Sequence, residues 1–125
     1  MNKTKLGRLG EDLACEYLVD KGYKIIGRNY REKWDELDIV ARSQDKTLIF
    51  VEVKTINTAG GDENSMIMPE DNLTKSKMRK LKRACQSFAL KRPEFVDENK
   101  GWRIDLVAIT TMSDKEPKIR HYENI

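Results

Sequence analysis

Glu52-Val53-Lys54 closes an otherwise apolar run, Leu48-Ile49-Phe50-Val51. An uninterrupted run of that kind reads as a strand buried on both faces, near the middle of a sheet. Side chains alternate along a strand, so Glu52 and Lys54 share one face and Val51 and Val53 the other. Burying a carboxylate and an ammonium there costs several kcal/mol per ion unless they are paired or bound. Asp38 lies in a second strand-like segment, Glu36-Leu37-Asp38-Ile39-Val40-Ala41. An Asp, then Glu-x-Lys on the neighbouring strand, is the ligand set of a divalent-metal nuclease. Mg²⁺ prefers octahedral oxygen coordination, takes one or two carboxylates, and leaves other positions to water and phosphate. Asp38 and Glu52 suit that need if their strands are adjacent, with the Val53 carbonyl as a third ligand. Lys54 would orient the metal-bound water or stabilise charge on the phosphate, while the metal lowers the water's pKa. A plainer reading makes Glu52 and Lys54 a cross-strand ion pair and Asp38 a surface acid beside a turn. Spacing alone leaves both open; the position after a buried strand favours chemistry.

Glu11 is the fourth candidate. On a helix it shares a row with Gly7, Ala14 and Leu18, so it borders the buried stripe while Asp12 points to water. Gly7 and Gly10 would let that helix approach the sheet closely and deliver a third carboxylate over the site.

The elements that must position these residues follow from periodicity. Leu6, Leu9, Leu13, Tyr17 and Leu18 predict an amphipathic helix over Thr4 to Asp20, ended by Lys21-Gly22. Tyr23 to Asn29 reads as a first strand and Glu36 to Arg42 as a second. Ser43 to Lys46 is a tight hairpin loop, so a third strand, Thr47 to Thr55, should lie antiparallel beside the second. The polar stretch from Ile56 to Asp71, with Gly60-Gly61, predicts a mobile loop. Asn72 or Thr74 can cap a helix reaching Leu90, with Met78, Leu81, Cys85 and Phe88 as its buried stripe. Arg103 to Thr110 is a fourth strand, and Lys118 to Tyr122 a short edge strand. The order α-β-β-β-α-β implies a mixed sheet flanked by helices.

The chain's 125 residues suit a single domain, and 24 basic against 21 acidic side chains leave a net charge of only +3. Any case for nucleic acid therefore rests on where the charge lies. Lys75, Lys77, Arg79, Lys80, Lys82 and Arg83 put six basic residues within nine positions of the second helix, with no acid among them. That density could neutralise several phosphates, though it spreads around the helix and also suits a solvated surface. No apolar run approaches a membrane span and no signal peptide is evident, which points to the cytoplasm. Cys15 and Cys85 lack metal-site spacing and read as reduced packing residues. His121 is the single histidine, which disfavours Ser-His-Asp or Cys-His catalysis. Trp34 and Trp102 read as packing residues before base-stacking ones.

In these motifs the chain resembles the YraN family, which is similar to restriction-endonuclease-like, PD-(D/E)xK nucleases and in particular to archaeal Holliday-junction resolvases. The matching pieces are Gly7-Arg8-Leu9-Gly10-Glu11-Asp12-Leu13-Ala14 with Tyr17-Leu18, Gly22-Tyr23, and Arg28-Asn29-Tyr30-Arg31. They continue through Glu36 to Ala41, Phe50-Val51-Glu52-Val53-Lys54-Thr55, Lys77 with Lys80-Leu81 and Ala84, and Arg103-Ile104-Asp105-Leu106-Val107. The resemblance implies a restriction-endonuclease-like α/β fold with Glu11, Asp38, Glu52 and Lys54 in the active-site positions. It marks Lys77 as the leading phosphate contact. Asp35 stands where the family pattern has Gly, and Ile56 where an Arg commonly follows Glu-x-Lys-Thr.

The resulting expectation is a Mg²⁺- or Mn²⁺-dependent DNA endonuclease acting on junctions, flaps or single strands. Asp38, Glu52 and Glu11 would bind metal and Lys54 would serve the attacking water. Lys75, Lys77, Lys80, Arg28 and Arg31 would hold nucleic acid. A homodimer would suit junction cleavage, because two strands must be cut. The rival is a non-catalytic nucleic-acid-binding or adaptor protein that retains the fold. Asp105, mid-strand, reads as structural or as a neighbour of the site.

Overall fold

Five strands form one sheet in the order β1-β2-β3-β4-β5, so each strand lies beside its neighbours in sequence. The computed structural model describes residues 4–33, 35–58, 73–113 and 115–125. The strands are β1 (Lys24–Arg31), β2 (Glu36–Arg42), β3 (Leu48–Thr58), β4 (Trp102–Met112) and β5 (Lys115–Tyr122). Only β3 and β4 run parallel; the other pairs are antiparallel. A parallel neighbour needs a crossover, and the helix α2 (Lys75–Lys91) supplies it. With α1 (Lys5–Asp20) ahead of β1, the order is the α-β-β-β-α-β that the sequence predicts, closed by an edge strand.

Both helices begin where their sequences allow a cap. Thr4 and Thr74 are extended, and their hydroxyls accept the amides of Gly7 and Lys77. The helices cover opposite faces of the sheet. Against α2, Leu81, Ala84, Cys85 and Phe88 pack on Val40, Leu48, Phe50 and Ile104. Against α1, Ala14 and Leu18 pack on Ile39, Ala41, Ile49, Val51, Val107 and Ile109. The alternation holds along β3, where Leu48 and Phe50 meet α2 and Ile49 and Val51 meet α1; in β2 Leu37 and Val40 both meet α2, so it breaks between Leu37 and Ile39. Phe88 stands edge-on to both Phe50 and Tyr30, with ring centroids 5.5 and 4.9 Å apart. Trp102 packs edge-on to Phe50, in keeping with a packing role; Trp34 lies outside the described residues.

Two expectations change. Leu9 is not part of the buried stripe of α1 and is 47% exposed. The helix instead buries its smallest face, Gly10 and Ala14, with Glu11 and Leu18. A Cβ on Gly10 would come within 2.8 Å of the Thr55 Cβ, so only glycine permits this approach to β3. Gly7 faces its own cap, Thr4, and plays no such part. Ile56 to Thr58, expected in a loop, continue β3, because Thr110 to Met112 of β4 offer them a parallel ladder. The rest of the expected loop lies outside the described residues. No helix among the described residues is long and apolar enough to cross a membrane.

Candidate active site

The ladder between β2 and β3 runs from Arg42↔Leu48 to Ile39↔Val51 and stops there. At the next position Asp38 takes over the pairing: its Oδ2 accepts the Val53 amide at 2.9 Å. The two strands therefore part at Asp38, which is buried, while Glu52, opposite it, is half-buried. Asp38 and Glu52 border the same narrow seam, with Phe50 and Leu81 behind them. Glu52 faces α2, as the alternation requires. Burial pushes the Cys85 thiol of α2 strongly up, and the Glu52 and Asp35 carboxylates push it further. Cys15 and Cys85 form no disulfide.

Beyond the seam a cavity of about 370 Å³ opens between the end of β3 and the first half of α2. Glu52 and Lys54 line it from the strand, Lys77 and Lys80 from the helix, and Asp35 from the segment before β2. Lys77 and Lys80 are three residues apart on α2, hence neighbours on one helix face. Asp35 is fixed by its own turn: its Oδ1 accepts the Glu36 amide at 2.8 Å, and its carbonyl accepts the Glu32 amide at 2.9 Å. Leu73 also borders it, while Leu81 and Leu106 behind it are buried and the Val53 side chain packs on the α1 face.

The structure brings together Asp38, Glu52, Lys54, Lys77 and Lys80, and leaves other candidates elsewhere. Glu11 is 2% exposed on α1, against the opposite face of the sheet, and does not line the cavity. Its Oε1 lies 3.6 Å from the Arg28 guanidinium, which also binds Asp12 at 2.8 Å. Arg28 is thereby committed to α1 and does not extend the basic surface of α2. Its side differs from that of Tyr30, two residues on, because Asn29 between them adopts φ 52° and reverses the alternation. Lys75 is exposed and borders a shallow depression beside the cavity with Arg79 and Lys82. Arg31 is exposed at the end of β1, paired in register with Glu36. Glu32, which the sequence did not single out, is buried and bonds to Lys91 Nζ at 3.0 Å, tying β1 to the end of α2.

Asp105, read from the sequence as structural or as a neighbour of the site, is the centre of a hydrogen-bond network. Fully buried in β4 beside Val51, it accepts Arg103 Nε at 3.0 Å, His121 Nε2 at 2.7 Å and the Asn124 amide at 2.9 Å. Burial pushes its carboxyl up, but the bonds from His121, Arg103 and the Asn124 amide outweigh that and hold it below the usual range. Because an ionised carboxylate only accepts, His121 Nε2 donates, and in the neutral ring Nδ1 accepts from the Tyr17 hydroxyl, 3.2 Å away. Among the described residues, Asp105, His121 and Glu123 form the group whose ligand atoms all lie within 4.8 Å; Glu11, Asp38 and Glu52 do not form one. The Arg103 guanidinium already occupies that group, reaching both Asp105 oxygens and, at 3.3 Å, Glu123. A cation site that holds its own cation does not suit a metal, so this network reads as structural. Asp38 and Glu52 border one seam, and Glu52 also lines the neighbouring cavity.

Residues 10–109 match the model of the uncharacterised protein family UPF0102. The chain belongs to this family, the YraN family. A UPF0102 protein of Geobacter sulfurreducens is 44% identical over 119 residues, covering 95% of this chain and 86% of the relative. Another, of a Sulfurihydrogenibium species, is 36% identical over 131 residues, covering 99% and 96%. Two solved structures are similar at lower identity. A repair endonuclease from Pyrococcus abyssi gives a TM-score of 0.46 at 13% identity, over 91% of this chain and 41% of that one. SfsA of Pyrococcus furiosus, in complex with Ca²⁺, gives 0.41 at 18% identity, over 93% and 63%. The UPF0102 chain thus spans less than two thirds of either of those larger chains.

Proposed function

We propose that this UPF0102 protein is a cytoplasmic, metal-dependent nuclease that hydrolyses phosphodiester bonds in DNA. The observation that carries the reading is the parting of β2 and β3 at Asp38, which leaves Asp38 and Glu52 on one seam with Lys54 beside it. Two carboxylates at the edge of solvent suit Mg²⁺ or Mn²⁺, and the Val53 carbonyl is a further oxygen donor at the same place. The metal, when bound, would supply Lewis acidity and a water of lowered pKa. The protein's own part is positional. The Val53 amide fixes the orientation of Asp38, and the rigid central strand β3 fixes Glu52 and Lys54 two residues apart on one face. Lys54 can hold a proton donor toward the attacking water or offset charge on the phosphate. Lys77 and Lys80, across the cavity, would hold the neighbouring phosphates. Glu11 enters as a support for α1 and Arg28 rather than as a ligand.

The test is cleavage of labelled DNA by purified wild type, Asp38→Asn and Glu52→Gln, with Mg²⁺, Mn²⁺ or chelator. Wild type should cut only with metal, and both variants should fold normally and lose activity by about a hundredfold or more. Equal metal-dependent activity in all three proteins would sink the assignment. A wild type that binds DNA without ever cutting it would favour an adaptor that keeps the fold.

A further inference from the structure

The positive charge of the chain is concentrated in one place. Six of its 24 basic residues fall between Lys75 and Arg83, where no acid stands, and the basic residues elsewhere are outnumbered by the 21 acids. Helix stability does not call for this arrangement. The first turn of α2 holds Lys75 and Lys77 and no acid, although cations are disfavoured at a helix N-terminus. Lys75 with Arg79 and Arg79 with Arg83 are like-charge pairs four residues apart, which destabilise a helix further. The cations sort into two rows. Lys77 and Lys80 line the cavity, whereas Lys75, Arg79 and Lys82, at i, i+4 and i+7, border a depression on the other side of α2 with Leu73 and Met78. The rows lie roughly 160° apart around the helix. All three residues of the second row are exposed, and among the described residues none of them makes an ion pair. The seam and its cavity use only the first row.

Resting on the nuclease reading of the seam, we propose that Lys75, Arg79 and Lys82 bind a second stretch of nucleic-acid backbone, separate from the one that Lys77 and Lys80 hold beside the acids. α2 then lies between two runs of phosphates, which offset cations that repel one another in the free protein. Seven residues at 1.5 Å of rise set Lys75 and Lys82 about 10 Å apart along the helix. That length matches about three nucleotides of a strand rising 3.4 Å at each. The occupant is nucleic acid, not an acidic protein, because the row continues around one helix the face that holds phosphates at the seam. The helix is only about 10–12 Å across, so a strand at the seam brings neighbouring backbone within reach of the second row. The row acts on affinity and orientation, away from the reacting phosphate.

The experiment follows the salt dependence of binding, by fluorescence anisotropy, to the cleavage-deficient Glu52→Gln protein with and without Lys75→Ala, Arg79→Ala and Lys82→Ala together. One labelled sequence serves as duplex and as single strand, and labelled polyglutamate as an acidic polypeptide. A control protein loses the same charge elsewhere through Lys5→Ala, Lys24→Ala and Lys100→Ala, all exposed positions. The row variant should lower the slope of log affinity against log salt by about 2–3, and the control by less than about 1. A fall seen with duplex alone assigns the second backbone to the paired strand. With Glu52 intact and Mn²⁺ present, the three changes should raise KM for DNA more than they lower kcat. An unchanged slope on both DNAs, a control as damaging as the row variant, or polyglutamate bound as tightly as DNA overturns the inference while the nuclease reading stands. A loss confined to kcat also overturns it, since it places these cations at the reacting phosphate. A lowered slope in a protein that cuts no DNA with any metal overturns the nuclease reading and leaves the second row as a binding face.

Discussion

Replacing Asp105 by Asn tests the buried network that joins α1, β4 and the end of the chain. Each Asp105 oxygen accepts two donors: Oδ1 takes Arg103 Nε and the Asn124 amide, and Oδ2 takes His121 Nε2 and Arg103. An amide can present its NH₂ on either side, and on either side it would face two donors. The variant thus leaves at least one cation or N–H unsatisfied next to a fully buried position. Breaking a buried pair by removing one partner costs about 3–5 kcal/mol. Arg103 and His121 are each less than a quarter exposed, so little of that is lost to solvent. Against a typical stability of about 5–15 kcal/mol this is a large fraction. For a 125-residue chain it corresponds to a fall in Tm of roughly 10–20 °C. Circular dichroism melts at pH 7 measure it. The pH dependence carries a sign. The folded carboxyl lies below its unfolded value, so its stabilisation is complete above about pH 4 and disappears as pH falls through the folded value. The gap between wild type and variant should therefore be widest at neutral pH and close in acid. A loss under about 1 kcal/mol, or a gap that widens in acid, would refute the reasoning.

Gly10→Ala forces a Cβ against Thr55 and should cost about 1–3 kcal/mol in urea denaturation, partly restored by Thr55→Ala in the double variant. An unchanged midpoint would show that α1 does not sit so close to β3. Lys77→Ala and Lys80→Ala should each lower the slope of log affinity against log salt by about 0.7–0.9, without loss of stability. A slope equal to wild type would place nucleic acid elsewhere. Arg28→Ala should act the other way, lowering stability through Glu11 and Asp12 while leaving the salt slope unchanged.

Much of the fold was legible because its signals are local. The apolar centres of β3 and β4, the threonine caps and the stop at Gly22 sit within a few residues of what they determine. The antiparallel β2–β3 hairpin that puts Asp38 and Glu52 on one seam was likewise local, set by a short polar loop. What failed depended on choices made across the fold. Hydrophobicity placed Leu9 in the helix stripe, but close packing on Thr55 selected the Gly10–Ala14 face instead. Arg28 was assigned to the basic surface because nothing local announces the left-handed Asn29 that turns it toward α1. Glu11 was correctly read as bordering the buried face, yet its partner, Arg28, comes from another element. Asp105 could be seen as unusual mid-strand, but its donors include His121, sixteen positions away, and a backbone amide. The lone histidine that argued against catalysis is a structural donor, a role no spacing rule proposes.

The most direct measurement is calorimetric titration of Mn²⁺ into wild type, Asp38→Asn, Glu52→Gln and Asp105→Asn, each first shown to be folded. The account predicts binding in wild type that is lost or strongly weakened in the Asp38 and Glu52 variants and retained in folded Asp105→Asn. Binding unaffected by Asp38→Asn and Glu52→Gln, or abolished by Asp105→Asn alone, would move the metal to the His121 network and contradict the central claim.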